Sequence, residues 1–224
     1  MPNGASSSAA AIWAILRKEC RSEWRTRYGI SAALLFAVTT LTTVSFAVGR
    51  LPDRGDVLAA LLWIVLLFAS LASLSHAFVH EVEGRTLTLL RLVASPTAIA
   101  LGKLLFNFLF LAVLEIVTVP LFLILMGAPS PRWGSFVLLL ALGSAALAAS
   151  STLVGALIAQ TRGRGALFAA VSLPLLLPVL AAAVVGTRAQ WAGGSIAAPA
   201  RLLAAYGLAV LAMSLLLYDQ LWEE

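Results

Sequence analysis

The sequence predicts an all-α integral membrane protein, with six transmembrane helices, an N-terminal amphipathic interfacial helix and a short cytoplasmic coupling helix. Three observations carry this. First, 61% of the 224 residues are hydrophobic and 11% are charged, where an average soluble domain carries about 25% charged residues. A soluble fold of this size would leave about a quarter to a third of its chain surface in water, and lipid is the solvent that removes that problem. Second, the apolar residues fall into runs near the ~20 residues that cross a hydrocarbon core at ~1.5 Å per residue. Third, Lys and Arg gather at the ends of those runs.

The elements follow in order. Residues 1–11 are small and polar and are expected to be disordered, which leaves one membrane domain over residues 12–224. In Ile12–Tyr28, the residues Ile12, Trp13, Leu16, Cys20 and Trp24 recur at helical spacing, while Arg17, Lys18, Arg21, Arg25 and Arg27 occupy the remaining surface. Such a helix suits the headgroup layer, because both indole and guanidinium groups are at home there. A cytosolic helix packed on a partner is the other reading. The spans are expected at about 31–48, 57–78, 104–126, 136–158, 167–185 and 202–217, the last being the shortest.

Orientation follows from the loop cations. With the N-terminus inside, the cytoplasmic segments hold Arg17, Lys18, Arg21, Arg25, Arg27, Arg85, Arg91, Lys103, Arg162 and Arg164, and the opposite side holds Arg50, Arg54, Arg132, Arg188 and Arg201. Ten against five places both termini in the cytoplasm of a bacterial inner-membrane, multi-pass protein. No cleavable signal peptide is evident, so the first span is expected to act as the insertion signal.

The net charge of +5 does not indicate nucleic acid. The cations flank apolar runs and form no aromatic-interleaved groove; they read as topology determinants and contacts with anionic lipid. Cys20 is the single cysteine, so there is no internal disulfide and no cysteine metal cluster. No P-loop of the form Gly-x-x-x-x-Gly-Lys-Ser/Thr is present, and no metal or directly bound cofactor is expected.

The connection between the second and third spans is the most informative. Glu81, Glu83 and Arg85 are hydrophilic, Gly84 lies among them, and Thr86–Leu92, with Leu87 and Leu90, is a short amphipathic helix candidate that Ser95-Pro96 ends. A short helix parallel to the membrane between two spans can transmit force from a cytosolic partner; from periodicity alone a passive loop stands level with it. His76 and His80 are four residues apart on one helix face and could ligate haem iron, but a helix end at the interface is the better reading. Glu115 sits near the middle of the third span, where a charge costs about 2.5–3.5 kcal/mol. A proton relay is one role; a buried structural carboxyl hydrogen-bonded to Thr or Ser of a neighbour, such as Thr42 or Thr118, is at least as good a fit. Pro120, Pro174 and Pro178 lie within spans, where static shape is favoured over a transport hinge. Ser144, Ala148, Thr152 and Ala156 make a small-residue face for a helix contact, within the subunit or across a dimer. Trp133, Trp191 and Trp222 read as interface anchors.

The order of these features resembles the permease subunits of the ABC-2 exporter class. More narrowly, the chain resembles the cytochrome c maturation protein B (CcmB) family of haem exporter permeases. The residues that carry this are Glu81-x-x-Gly84 and the leucines after it, then a Pro and Gly102-Lys103; Leu138 to Gly143; Arg162-Gly163-Arg164-Gly165; and Leu173-Pro174-Leu175-Leu176-Leu177-Pro178. Lys18-Glu19 to Trp24-Arg25 and Leu61-Leu62-Trp63 also fit. The resemblance covers nearly the whole chain and implies a subunit that couples ATP hydrolysis in a partner to movement in the membrane during cytochrome c maturation. It implies an ATP-binding (CcmA-like) partner, CcmC-like and CcmD-like membrane proteins, a transient CcmE-like haem chaperone, two copies per complex, and haem as cargo. Glu81 to Leu92 would dock into the ATPase, with Glu81, Glu83 and Arg85 as ionic contacts. An ABC-2 permease for a lipid or drug, a non-transporting scaffold, and a secondary transporter working through Glu115 are the alternatives.

Overall fold

A computed structural model describes the backbone of residues 4–51, 53–83, 95–159 and 164–220, and the side chains of residues 9–51, 53–69, 71, 95, 97–154 and 174–217. The described residues form seven helices: α1 Gly4–Thr26, α2 Tyr28–Val48, α3 Gly55–Glu83, α4 Pro96–Met126, α5 Trp133–Ala159, α6 Arg164–Trp191 and α7 Ala197–Gln220. Five of them, α2 and α4 to α7, are long and apolar enough to cross a membrane. In α3 the apolar stretch with described side chains is Gly55–Ala69. Helix α1 starts at Gly4, ahead of the start expected at Ile12, which accords with the strong helix propensity of Ala5 and Ala9–Ala11.

The helix ends follow from local chemistry. Ser95 caps α4 by accepting from Ala98 N at 3.3 Å, and Pro96 fills the first helical position, where its missing N–H costs nothing. Gly127 closes α4 in the left-handed region. The break between α1 and α2 is a single residue. Arg27 has φ 53°, the only positive φ among the described non-glycine residues. Its guanidinium stands 5.6 Å over the Trp24 ring, and Glu23 Oε1 accepts from Ile30 N at 2.8 Å. A carboxylate thus supplies the cap of α2 that Arg27 itself does not make.

Helix α5 is the centre of the bundle. Two thirds of its apolar window is buried, against 17% for α2 and α7, and α3, α4, α6 and α7 all pack on it. It is keyed to α3 and α6 by Trp63, which is fully buried and whose Nε1 donates to Thr187 Oγ1 on α6 at 2.9 Å. The ring lies directly on Gly143 of α5: a Cβ there would overlap it, with Cζ3 2.7 Å away.

One end of the bundle is closed by three connections. Leu51 N donates to Met126 O at 3.0 Å, Ser45 Oγ to Leu125 O at 3.2 Å, and Arg50 Nη2 to Ile124 O at 3.3 Å. Arg132 Nη2 donates to Gly194 O at 2.8 Å, and Gln190 Nε2 to Arg132 O at 3.4 Å. Trp191 is half-buried and belongs to this packing. It stacks at 6.1 Å on the buried Phe136 and touches Gly55. Trp133 is exposed, as an anchor should be, and Trp222 lies outside the described residues. Pro120, Pro174 and Pro178 all face outward from the bundle.

The other end holds α1. Ile15 is buried in a small cluster with Ala98, Ile99 and Ala100 of α4, and Ala11, Ile12 and Leu215 of α7 pack around it. The starts of α2 and α4 and the last turns of α7 therefore gather at one end, with α1 seated on α4. Protein covers only part of the apolar side expected of this helix, around Ile12 and the neighbouring Ile15, while Trp13 and Trp24 stand 66% and 76% exposed.

Candidate functional site

The end that carries α1 also holds the flanks of the expected coupling segment. Helix α3 runs to Glu83, so Glu81 and Glu83 belong to its last turn, and α4 begins at Pro96. The backbone of His76 and His80 lies in the same final stretch of α3. The side chains of His76, His80, Glu81 and Glu83, and all of Gly84, Arg85, Leu87 and Leu90, lie outside the described residues. Helix α1 abuts the first turns of α4. The contact is close: a Cβ on Gly102 would stand 2.7 Å from Ile15 Cγ2 and 3.3 Å from Ile12 O.

The second feature lies in the bundle interior, on the interface of α4 with α5. Glu115 is half-buried, and its Oε1 accepts a short hydrogen bond from Ser144 Oγ. Neither of the partners expected from sequence is used. Thr42 Oγ1 donates to its own helix at Val38 O, 2.7 Å away, and Thr118 Oγ1 is buried with no partner. The reason is register. Helices α4 and α5 are antiparallel across the turn at 127–132, so Glu115 meets Ser144 and Asn107 meets Thr152, eight residues further along each helix. Asn107 Nδ2 donates to Thr152 Oγ1 at 3.1 Å and to Ser151 Oγ at 3.5 Å, and both hydroxyls also bond Ala148 O. Two polar contacts about 12 Å apart, at ~1.5 Å rise per residue, thus pin these helices in a medium without water. Sequence reading found Glu115 but missed Asn107, an amide that a hydropathy profile passes over.

The small-residue face of α5 is assigned by the same contacts. Ser144, Ala148 and Thr152 are buried, with Ser144 and Thr152 bonded to α4 of the same chain. That part of the face is an intrasubunit contact; the side chain of Ala156 lies outside the described residues. Among the described residues no group of three His, Cys, Asp or Glu could hold a metal ion. Cys20 is half-buried, and burial, then Glu19, push its thiol pKa up.

The Glu115–Ser144 bond carries its own prediction. In a double-mutant cycle of Glu115→Gln or Glu115→Leu with Ser144→Ala, the Leu cycle is expected to return a coupling of about 1 kcal/mol, the scale of interhelical hydrogen bonds in membranes. Glu115→Gln keeps an acceptor and should cost less than Glu115→Leu in thermal melts of the detergent-solubilised chain. Equal losses for the two would mean that Ser144 contributes nothing.

The comparisons with known proteins cover almost the full chain. The model of the CcmB protein family matches residues 10–218, which takes in α1 from its first described side chains onward. Heme exporter protein B of Bradyrhizobium diazoefficiens is 32% identical over 204 residues, 88% of this chain and 90% of the relative. The proteins of that name from Rhodobacter capsulatus and Paracoccus denitrificans are 29% and 30% identical, each over 205 residues and 93% of the relative.

Proposed function

The chain belongs to the CcmB family, and from that premise we propose that it is the membrane permease subunit of an ATP-driven complex serving cytochrome c maturation, through haem export or release of a haem-loaded chaperone. The observation that carries the reading is the match over residues 10–218 together with relatives named heme exporter protein B. ATP is bound and hydrolysed by a separate CcmA-like subunit. CcmC-like and CcmD-like proteins and a CcmE-like chaperone complete the machinery, with two copies of this chain per complex. Haem is cargo here and not a resident cofactor.

In this reading α3 supplies the sixth span. Its 29 residues extend about 43 Å at ~1.5 Å per residue, enough for the hydrocarbon core and one headgroup layer. The α1 end faces the cytoplasm of the inner membrane, as the cation asymmetry requires. Glu81, Glu83 and Arg85, with Gly84, Leu87 and Leu90, form the surface that the ATPase grips. Movement there passes into α4, and through the polar contacts at Asn107 and Glu115 into α5, the centre of the bundle. The partnering of Glu115 with Ser144 favours a structural carboxyl over a proton carrier, which weakens the secondary-transporter alternative. His76 and His80 lie toward the cytoplasmic end of α3, away from where haem is delivered, so haem ligation by them is the lesser reading.

Two measurements test this. Deletion of the gene is expected to abolish holo-cytochrome c while the haem-loaded chaperone fails to turn over; normal levels of both would redirect the assignment to another cargo. Charge reversal by Glu81→Lys with Glu83→Lys is expected to reduce co-purification of a P-loop ATPase about tenfold, equivalent to ~1.4 kcal/mol of binding. Full retention of the ATPase would remove these two carboxylates from the interface.

A further inference from the structure

The exposed side of α1 carries a row of positive charge that no described residue neutralises. Arg17, Arg21 and Arg25 stand on successive turns, about 6 Å apart at ~1.5 Å rise per residue, and all three are exposed. The acids on this helix are already committed: Glu19 pairs with Lys18 at 3.0 Å, and Glu23 accepts from Ile30 N. Among the described residues none gives Arg17, Arg21 or Arg25 an ion pair. The three arginines line a shallow, open groove on the surface of α1 together with Trp13, Ala14, Lys18 and Ser22.

We propose that this groove is a binding site for the headgroup phosphate of anionic phospholipid, seated on α1 where the helix meets the bilayer. The depth of the groove follows from what α1 is attached to. Its opposite face rests on Ala98, Ile99 and Gly102 in the first turns of α4, and after the single residue Arg27 it runs straight into the apolar helix α2. Both attachments are ends of membrane-crossing helices, so the arginine row stands at the boundary of the hydrocarbon, where headgroup phosphates lie. Trp13 and Trp24 are eleven residues apart, close to three helical turns, and thus share one side of α1 beside the arginines. Exposed indoles flanking a row of guanidinium groups match an interface that is apolar on one side and anionic on the other. Guanidinium also binds phosphate oxygens through paired N–H groups, where lysine offers a point charge. An acidic protein surface would match the arginines but leave the exposed Trp13 indole without a role.

The test uses the full-length chain in detergent micelles, with retained lipid counted by native mass spectrometry against dioleoylphosphatidylglycerol and dioleoylphosphatidylcholine. A cation near an anionic surface contributes roughly fivefold in binding, so three give on the order of a hundredfold. Wild type is expected to prefer phosphatidylglycerol by at least about tenfold in micelles, and salt should erode that preference. Arg17→Gln/Arg21→Gln/Arg25→Gln should reduce it to about threefold or less, and each single substitution should remove part of it. The single substitutions keep the proposal testable where the triple variant yields little protein. Arg188→Gln/Arg201→Gln, at the other end of the bundle, should leave the preference unchanged. No preference in wild type, a preference that survives the triple variant, or an equal loss in the distant pair overturns the site. A triple variant that keeps its lipid preference but loses a co-purifying protein would assign the groove to that protein and also overturn it.

Discussion

Gly143→Ala is expected to be among the most destabilising single-methyl changes in the chain. The added Cβ would overlap the Trp63 ring, which is fully buried and has no room to retreat. Overpacking of a dense core costs about 1–3 kcal/mol. Displacing the indole also breaks its bond to Thr187, a residue buried to 0% exposure, and leaves a polar pair unsatisfied at a further ~1–3 kcal/mol. A total near 3 kcal/mol is expected in the thermal melt of the purified chain, and larger side chains should prevent accumulation altogether. The mechanism is checked by rescue. Trp63→Leu alone should also destabilise, by cavity formation and by orphaning Thr187, but in the double variant with Gly143→Ala the two changes should offset one another in volume. Strict additivity of the two losses would show that the ring and the glycine are not in contact.

Gly102→Val is expected to detach α1 from α4. The substituted Cβ would lie 2.7 Å from Ile15 Cγ2 and 2.8 Å from Ile15 Cβ, and the Cβ is fixed to the backbone, so no rotamer change relieves that contact. The backbone oxygen of Ile12 at 3.3 Å blocks a shift along the helix. Helix α1 must then move off, exposing Ile15 and the Ala98–Ala100 surface. Burial of a side chain of this size contributes about 1.5–3 kcal/mol, so the docked population should fall by tenfold or more. Trypsin reports this directly, because Arg17, Lys18, Arg21 and Arg25 become cleavable when the helix unwinds from its seat. Cleavage in α1 should accelerate about tenfold while the rest of the bundle stays intact, and holo-cytochrome c should fall if α1 and α4 move together. An unchanged digestion pattern would mean that α1 is held by something other than this contact.

The two sites differ in how far the sequence revealed them. Gly102 and Gly143 both stand in motifs that carry the family resemblance, but hydropathy gives no physical reason for them: in these apolar helices alanine would read the same way. Their need for hydrogen in place of a methyl comes from partners distant in sequence, Ile15 in one case and Trp63 in the other. Glu115 was legible as an anomaly, because a carboxyl in an apolar run breaks the pattern by itself. Its partner was not, because a helical period places many hydroxyls within reach and only the antiparallel register of α4 with α5 selects Ser144 over Thr42 or Thr118. Trp191 is ambiguous in the sequence for the same reason. An indole near a span end satisfies both the membrane interface and a buried aromatic pair, and only Phe136 and Gly55 decide between them.

The sequence by itself determined that this is an all-helical membrane chain with an amphipathic leading helix, because hydrocarbon demands that each segment satisfy its own backbone. That demand is local and can be read from composition and run length. It also carried the family, whose short motifs recur in order along nearly the whole chain. The tertiary structure alone decided which helix lies at the centre, and that α1 seats Ile12 and Ile15 on α4 while Trp13 and Trp24 stay exposed. It also decided which hydroxyl meets the buried carboxyl. Inside a bilayer the apolar faces of helices are almost equivalent to lipid, so hydropathy cannot rank them. Close steric fit at a few glycines and a few hydrogen bonds makes the choice, and both depend on residues that the chain separates by tens of positions.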